Sequence, residues 1–530
     1  SNPKSHSVMK NKIYTILFAA VVCFASCNLD KESPDSIPFD KAFSDMGSIE
    51  ALERGAYSRL RTAYSISSMI LPDLQADYVH AISGFSNTYG NVYQWTFSQD
   101  DGDIATVWND LYGGIAFYNF IIEGIDSKLG FEPTASERTA LNNIQGRMYL
   151  MRALSYSLLA ERFCGDYDAA TAKNEYSGVP LVTTYDSSKK PARASLYDVY
   201  DKILKDIEQA KQLLADQNGS PNSTTLNLDC VLALEARVLL QTDNYPEALK
   251  KANDLIGKQT YTLIDSEEEL REMWTYDRSP ETIFQFYASK TETAYQWGYY
   301  FYNEYNNGTD NKQYTMYPDY IPAQGCVDRY DAADWRRTVY FLDCTTDAPV
   351  DGRFIVAIIK GQSMFARNLT VISKYPGNPD LRTTSAWNYY NTFKPFRLAE
   401  MYLIAAEAAV LSGGDAETPL NELRIHRGLP KLPAVTLADV QEERYREMMM
   451  EGTRLTDLKR WGLGMTRGKA QEGEASKTGG NPWSYIDFVT EIGSDISKPK
   501  GDYMFVWPIP ASEIFANQQL GGQQNPGWVR

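Results

Sequence analysis

The stretch 228–256 constrains the fold more tightly than any other part of this chain. There Ala236, Leu239, Tyr245, Ala248, Ala252 and Leu255 set small and large apolar side chains at helical spacing over a pair of helices. Small residues facing large ones let two helices approach closely, and the pair's outer face then needs a neighbouring pair to cover it. Related stripes recur. Leu150, Ala153, Leu154, Ser157 and Leu158 share one face between Arg147 and Phe163, and Val199, Ile203, Ile207, Ala210 and Leu214 share another. A further pair runs from Leu398 through Glu407 and Ala408 to a break at Gly413-Gly414, then from Ala416 to His426. A long helix is expected from Leu437 to Gly452.

The fold class that follows is mainly α: a scaffold of tetratricopeptide-like helix pairs stacked in a right-handed sense. The pairs are degenerate, and Glu235 stands where that repeat prefers Leu. Two stretches break the pattern. Residues 258–395 are dominated by Gly, Pro, Asn and Tyr, with a short strand expected at Thr370–Lys374. Residues 464–502 are rich in Gly, Ser and Lys and have no apolar period. Both read as long irregular excursions with few short strands, and excursions of such length commonly carry function.

The N-terminus reads as an address. Lys10 and Lys12 precede an apolar run from Ile13 to Ala25, which is too short to span a bilayer, and small residues lead into Cys27. This pattern resembles a bacterial lipobox, in which the cysteine is acylated and becomes the new N-terminus; the alternative is a plain secretory peptide cut near Ala25. The expected organisation is a leader and lipobox over 1–27 (with 1–8 upstream of the start at Met9), a polar tether over 28–38, and one domain over 39–530. Cleavage removes Lys4, Lys10 and Lys12 and no acidic residue, which deepens a net charge already at −16.

That charge, with no basic run longer than a pair, argues against a nucleic-acid partner. Only three histidines occur and no CxxC pair, so a Cys/His zinc site is not expected. Cys164, Cys230, Cys326 and Cys344 are widely spaced and read as buried apolar residues. No phosphate-loop, zincin, hydrolase-elbow or dinucleotide motif is present. Asp100, Asp101 and Asp103 lack the spacing of a calcium loop and read as a solvated turn. Glu442, Glu443, Glu447 and Glu451, interleaved with Arg444, Arg446 and Arg454, read as an ion-pair ladder. No metal, cofactor or catalytic residue is expected.

Several motifs then resemble one family in its own order. They are Arg152–Tyr156 with Glu161-Arg162-Phe163, Gly178–Leu181, Phe396–Glu400 with Ala406–Ala408, and Glu443 through Trp461. The most specific is the close, Trp507-Pro508-Ile509-Pro510 with Gln524-Asn525-Pro526-Gly527-Trp528. Together with the lipobox they resemble the SusD/RagB family of surface glycan-binding lipoproteins. The resemblance implies a non-catalytic protein, lipid-anchored at Cys27 and exposed on the outer membrane. It implies oligosaccharide as ligand and a SusC-like TonB-dependent transporter as partner. A peptide-binding member of the same family and a glycoside hydrolase on a helical scaffold are the competing readings.

Sugar rings stack their C–H faces on aromatic rings while polar side chains meet the hydroxyls. Two segments offer that chemistry, and the family places its ligand loops in these regions. One contains Asp77, Tyr78, Tyr89, Asn91, Tyr93 and Trp95. The other, Tyr295 to Tyr305, contains Trp297, Tyr299, Tyr300 and Tyr302. As surface platforms, Trp95 and Trp297 are expected to weaken glycan binding on truncation and to leave thermal stability nearly unchanged.

Overall fold

The computed structural model describes residues 41–528 apart from 83–84, 86, 293–294, 297–314, 317, 345–353, 360–361, 384–389, 479–481 and 487–495. About these residues the fold is mainly α, as the periodicity requires. The helices Met46–Ala63, Gly102–Ser127, Ala135–Phe163, Leu196–Leu213, Leu228–Gln241 and Tyr245–Gly257 pack in succession, except that the first lies against the second and also touches the third. The next helix in the stack is Leu398–Ser412, which packs on Tyr245–Gly257 although some 140 residues separate them in sequence. The scaffold is therefore interrupted in the chain and continuous in space.

Local chemistry starts and stops these helices. Thr134 and Thr436 each form a reciprocal capping box, with Glu137 and Asp439 respectively. Asp101 caps Gly102–Ser127 by accepting from the N–H groups of Asp103 and Ile104, so the acidic turn at 100–103 is a helix start. Gly413 closes Leu398–Ser412 at φ +80°, where a side chain would be strained. Glu235, the misfit of the repeat pattern, is buried and held by Lys211 at 2.8 Å.

One helix departs from expectation. The 437 helix ends at Glu447 and not at Gly452. The chain then turns through Met450 and Gly452, both with positive φ, and the carbonyls left open there are capped from outside. Lys374 Nζ donates to the carbonyls of Glu447 and Met449, and Tyr375 Oη donates to that of Met450.

The excursions build small sheets on this scaffold. Ser484–Ile486, Gly473–Ser476, Gln362–Arg367, Phe354–Ile359 and Thr315–Met316 form a five-stranded sheet in that spatial order. It is antiparallel except at its last pair. The strand expected at Thr370–Lys374 occupies Leu369–Ile372 and pairs with Phe341–Cys344. A main core runs from Ala42 to Leu520. A second, smaller core of Ile82, Ile321, Ala366, Leu369, Val371 and Ala475 lies under the five-stranded sheet.

Candidate ligand-binding site

The ladder of acids and arginines proves to be an internal clamp. Glu447 is buried among three guanidiniums, those of Arg336, Arg397 and Arg427, at 2.9 to 3.0 Å. Arg427 also grips both oxygens of Glu281, and Arg397 both oxygens of Glu451. Glu443 is held at about 2 and Glu447 well below the usual carboxylate range, because the facing guanidiniums outweigh burial, which alone would raise both. Carboxylates held this way do not act as general acids near neutrality. Their task is to lock the turn 448–453 onto the scaffold.

The first predicted ligand segment lies beside that clamp, and the structure separates its members. Tyr78 is buried, its ring 4.5 Å from Tyr445 and its hydroxyl donating to the Tyr445 carbonyl. Tyr93 is buried under the guanidinium of Arg467, 3.9 Å from the ring centroid. Trp95 is 5% exposed, packs on Phe505 and donates from Nε1 to the Gln75 carbonyl at 2.7 Å. Asp77 accepts two bonds from Arg454. Tyr78, Tyr93 and Trp95 are interior residues and not a stacking surface, and Asp77 is half-buried with both oxygens held by Arg454. The reason is periodicity too short to see: Gly90–Tyr93 is a single helical turn, and Val79–Ala81 a three-residue strand, so no stripe distinguishes their inner face. Tyr89 is half-buried at φ +60°, and Asn91 is exposed, donating to Asp101 at 3.3 Å. They remain accessible to a ligand. Trp297, Tyr299, Tyr300 and Tyr302 lie outside the described residues.

The motifs that carry the family resemblance also hold the fold. Asn525 Nδ2 donates to the carbonyls of Phe163 and Trp507, while its Oδ1 accepts from Arg193. Trp507 Nε1 donates to Gln75 Oε1 at 2.8 Å. Lys459 Nζ reaches the carbonyls of Glu161 and Cys164, both at 2.7 Å, closing the C-terminal end of Ala135–Phe163 where the helix dipole favours a cation. Beside these contacts opens a cleft of about 910 Å³. Its polar wall, Arg193, Lys459 and Asn525, is bonded to protein. Its rim carries Tyr176 (43% exposed) and Tyr503 (40% exposed), with Leu463. Desolvation in the cleft pushes the Asp166 carboxyl up to about 6 against the pull of Lys459. Tyr176 sits at φ +60°, a conformation aromatic residues seldom adopt, which fixes its ring at the rim.

Two family models match the chain. Residues 29–240 match one described as starch-binding and associating with the outer membrane, and residues 365–528 match that of the SusD family. The chain belongs to the SusD/RagB family. The starch-binding protein SusD of Bacteroides thetaiotaomicron is 32% identical over 168 residues, 31% of this chain, and the match spans 27% of that relative's length. Among solved structures, a putative sugar binding protein from Bacteroides vulgatus superposes with a TM-score of 0.70 at 23% identity, covering 92% of this chain and 100% of that one. Surface glycan-binding protein A from Bacteroides uniformis gives 0.66 at 18%, covering 91% and 99%. At these identities the structural likeness establishes the fold, a SusD-like one.

Between the two matches lie residues 241–364, which hold the helix Tyr245–Gly257 and most of the first excursion. Among the described residues no cluster of His, Cys, Asp and Glu could hold a metal ion, and no helix is long and apolar enough to cross a membrane. Cys164, Cys230 and Cys326 are buried and unpaired, and burial pushes the Cys164 thiol up to about 11.

Proposed function

We propose that this protein is a non-catalytic glycan-binding lipoprotein. It is anchored through Cys27, exposed on the outer membrane, and delivers oligosaccharide to a SusC-like TonB-dependent transporter. The observation that carries the reading is the match of 29–240 to a model described as starch-binding and associating with the outer membrane, beside the match of 365–528 to that of the SusD family. The chemistry of the molecule supports it. The acids of the clamp are paired with arginines, while aromatic rings with polar neighbours remain at the surface. Tyr89, Asn91 and the 297–302 aromatics are the proposed contacts of the loop site. The leader 1–27, the tether 28–38 and the single domain 39–530 are part of the same proposal.

The test is binding and turnover measured on one panel of soluble polysaccharides. Saturable binding without new reducing ends supports the reading. Steady production of reducing ends would make it a hydrolase, and binding of peptides with no polysaccharide bound would make it a peptide-binding member. Co-purification of a barrel transporter from gently solubilised native membranes supports the transporter partner; recovery as a strict monomer counts against it.

A further inference from the structure

We infer that the outer face of the five-stranded sheet is a platform for a neutral oligosaccharide, built by Trp483, Arg367, Glu474 and Tyr485. The inference rests on the glycan-binding reading above and places ligand contacts where neither the family motifs nor the aromatic-rich segments of the sequence point.

The pairing register puts these residues in a row. Residues directly opposite in an antiparallel pair share a face of the sheet. Tyr485 is opposite Glu474, and Glu474 is opposite Arg367 on the next strand. Trp483 lies two residues before Tyr485 on the same extended segment and returns to the same face. The contact is direct: the Arg367 guanidinium carbon lies 4.3 Å from the Trp483 ring centroid. The alternate residues take the other side. Ala366 and Ala475 are buried in the small core with Ile82, Ile321, Leu369 and Val371. On Gly473–Ser476 and Gln362–Arg367, period-two alternation turns Ala475 and Ala366 inward and sets Glu474 and Arg367 on the face that carries Trp483 and Tyr485, with Ser476 buried at the far end of that face.

The outward face has the chemistry of a sugar site. Tyr485 is 66% exposed, so its ring is open to a pyranose C–H face. Glu474 Oε2 accepts from Arg367 Nε at 2.6 Å and from Asn368 Nδ2 at 3.1 Å, which fixes the carboxylate and leaves Oε1 as an acceptor among the described residues. The pair cancels its own charge, and the nearby Lys469 and Glu472 cancel theirs at 3.0 Å. A row of two rings around a neutralised hydrogen-bonding pair matches an uncharged ligand with apolar faces and hydroxyl edges. The location also fits: the core beneath this sheet includes Ile82, the residue that follows Val79–Ala81 in the first predicted segment.

The experiment uses the full chain with Tyr485→Ala, Tyr485→Phe and Trp483→Ala. Affinity electrophoresis is run on starch, xyloglucan, mixed-linkage β-glucan, galactomannan and, as charged controls, alginate and polygalacturonate. The expected result is binding of at least one neutral polysaccharide by the parent. Tyr485→Ala should lose about tenfold or more in affinity, on the scale of a lost stacking anchor. Tyr485→Phe should bind within about twofold of the parent, since the ring survives, and the melting temperatures of both Tyr485 variants should match the parent. Parent-like binding by both alanine variants would overturn the platform and leave the glycan reading standing. A parent that binds none of the panel would overturn both, and binding confined to alginate or polygalacturonate would overturn the neutral ligand. Loss of binding in Ser484→Pro with Tyr485→Ala unaffected would show strand pairing at the sheet edge and overturn stacking.

Discussion

Arg454 donates from Nε and Nη2 to the two carboxylate oxygens of Asp77, each at 2.8 Å, and so ties the turn after the 437–447 helix to the start of the first aromatic segment. The pair is largely buried, and burial, which alone would raise the Asp77 carboxyl, is outweighed by Arg454. Removing one partner strands the other charge. Asp77→Ala is expected to destabilise the protein by about 3–5 kcal/mol, measured by chemical denaturation. Glycan affinity per folded molecule should be unchanged. A stable variant with lost binding would return Asp77 to the ligand site.

Trp95→Ala is expected to cost about 3–5 kcal/mol of stability, because it empties a packed site against Phe505 and removes the donor to Gln75. This reverses the expectation for a surface platform. Thermal unfolding of the variant decides it: an unchanged melting temperature would mean that the ring is not core.

Acid sensitivity follows from Glu443. Its carboxyl sits at about 2 in the folded chain against an ordinary value of 4.5, since Arg336 and Arg446 outweigh the effect of burial. A depressed folded value means that the contribution is fully present above about pH 4.5 and is lost as pH falls toward 2. Glu443→Gln should lower stability at pH 7 by about 3 kcal/mol and flatten the stability profile between those limits. Denaturant melts of parent and variant at pH 2.5, 4 and 7 test this; parallel profiles would refute it.

Gly452 has φ +80°, and a Cβ there would lie 2.8 Å from the Met69 carbonyl oxygen. Its N–H also donates to Asp73 at 2.9 Å. Gly452→Ala should therefore destabilise by more than about 1 kcal/mol. A variant as stable as the parent would show that the 448–453 turn relaxes freely.

Replacing Cys27 with Ala should move the protein from the membrane pellet to the soluble fraction. Retention in the membrane after that change would refute the lipid anchor.

The sequence by itself determined the helical scaffold, because amphipathic stripes at 150–158, 199–214 and 236–255 must be buried and can be buried only against one another. It also marked Gly413 as a helix end, which depends on spacing within a single element, whereas Glu447 and Glu451 pair with Arg336, Arg397 and Arg427 from other segments and not with the interleaved arginines. What tertiary structure decided depends on contacts between distant segments. Lys374 and Tyr375 cap the carbonyls of the turn that follows the 437 helix. Gln75, Phe505 and Arg467 turn Trp95 and Tyr93 into interior residues and Arg454 holds both oxygens of Asp77, although their local sequence reads as a wet aromatic loop. The outer sheet face was invisible for the same reason. Trp483, Tyr485, Glu474 and Arg367 come from two stretches more than 100 residues apart, and only the register of three strands sets them side by side. Burial is a property of what covers a residue, and in short strands and single turns the covering segment is not encoded nearby.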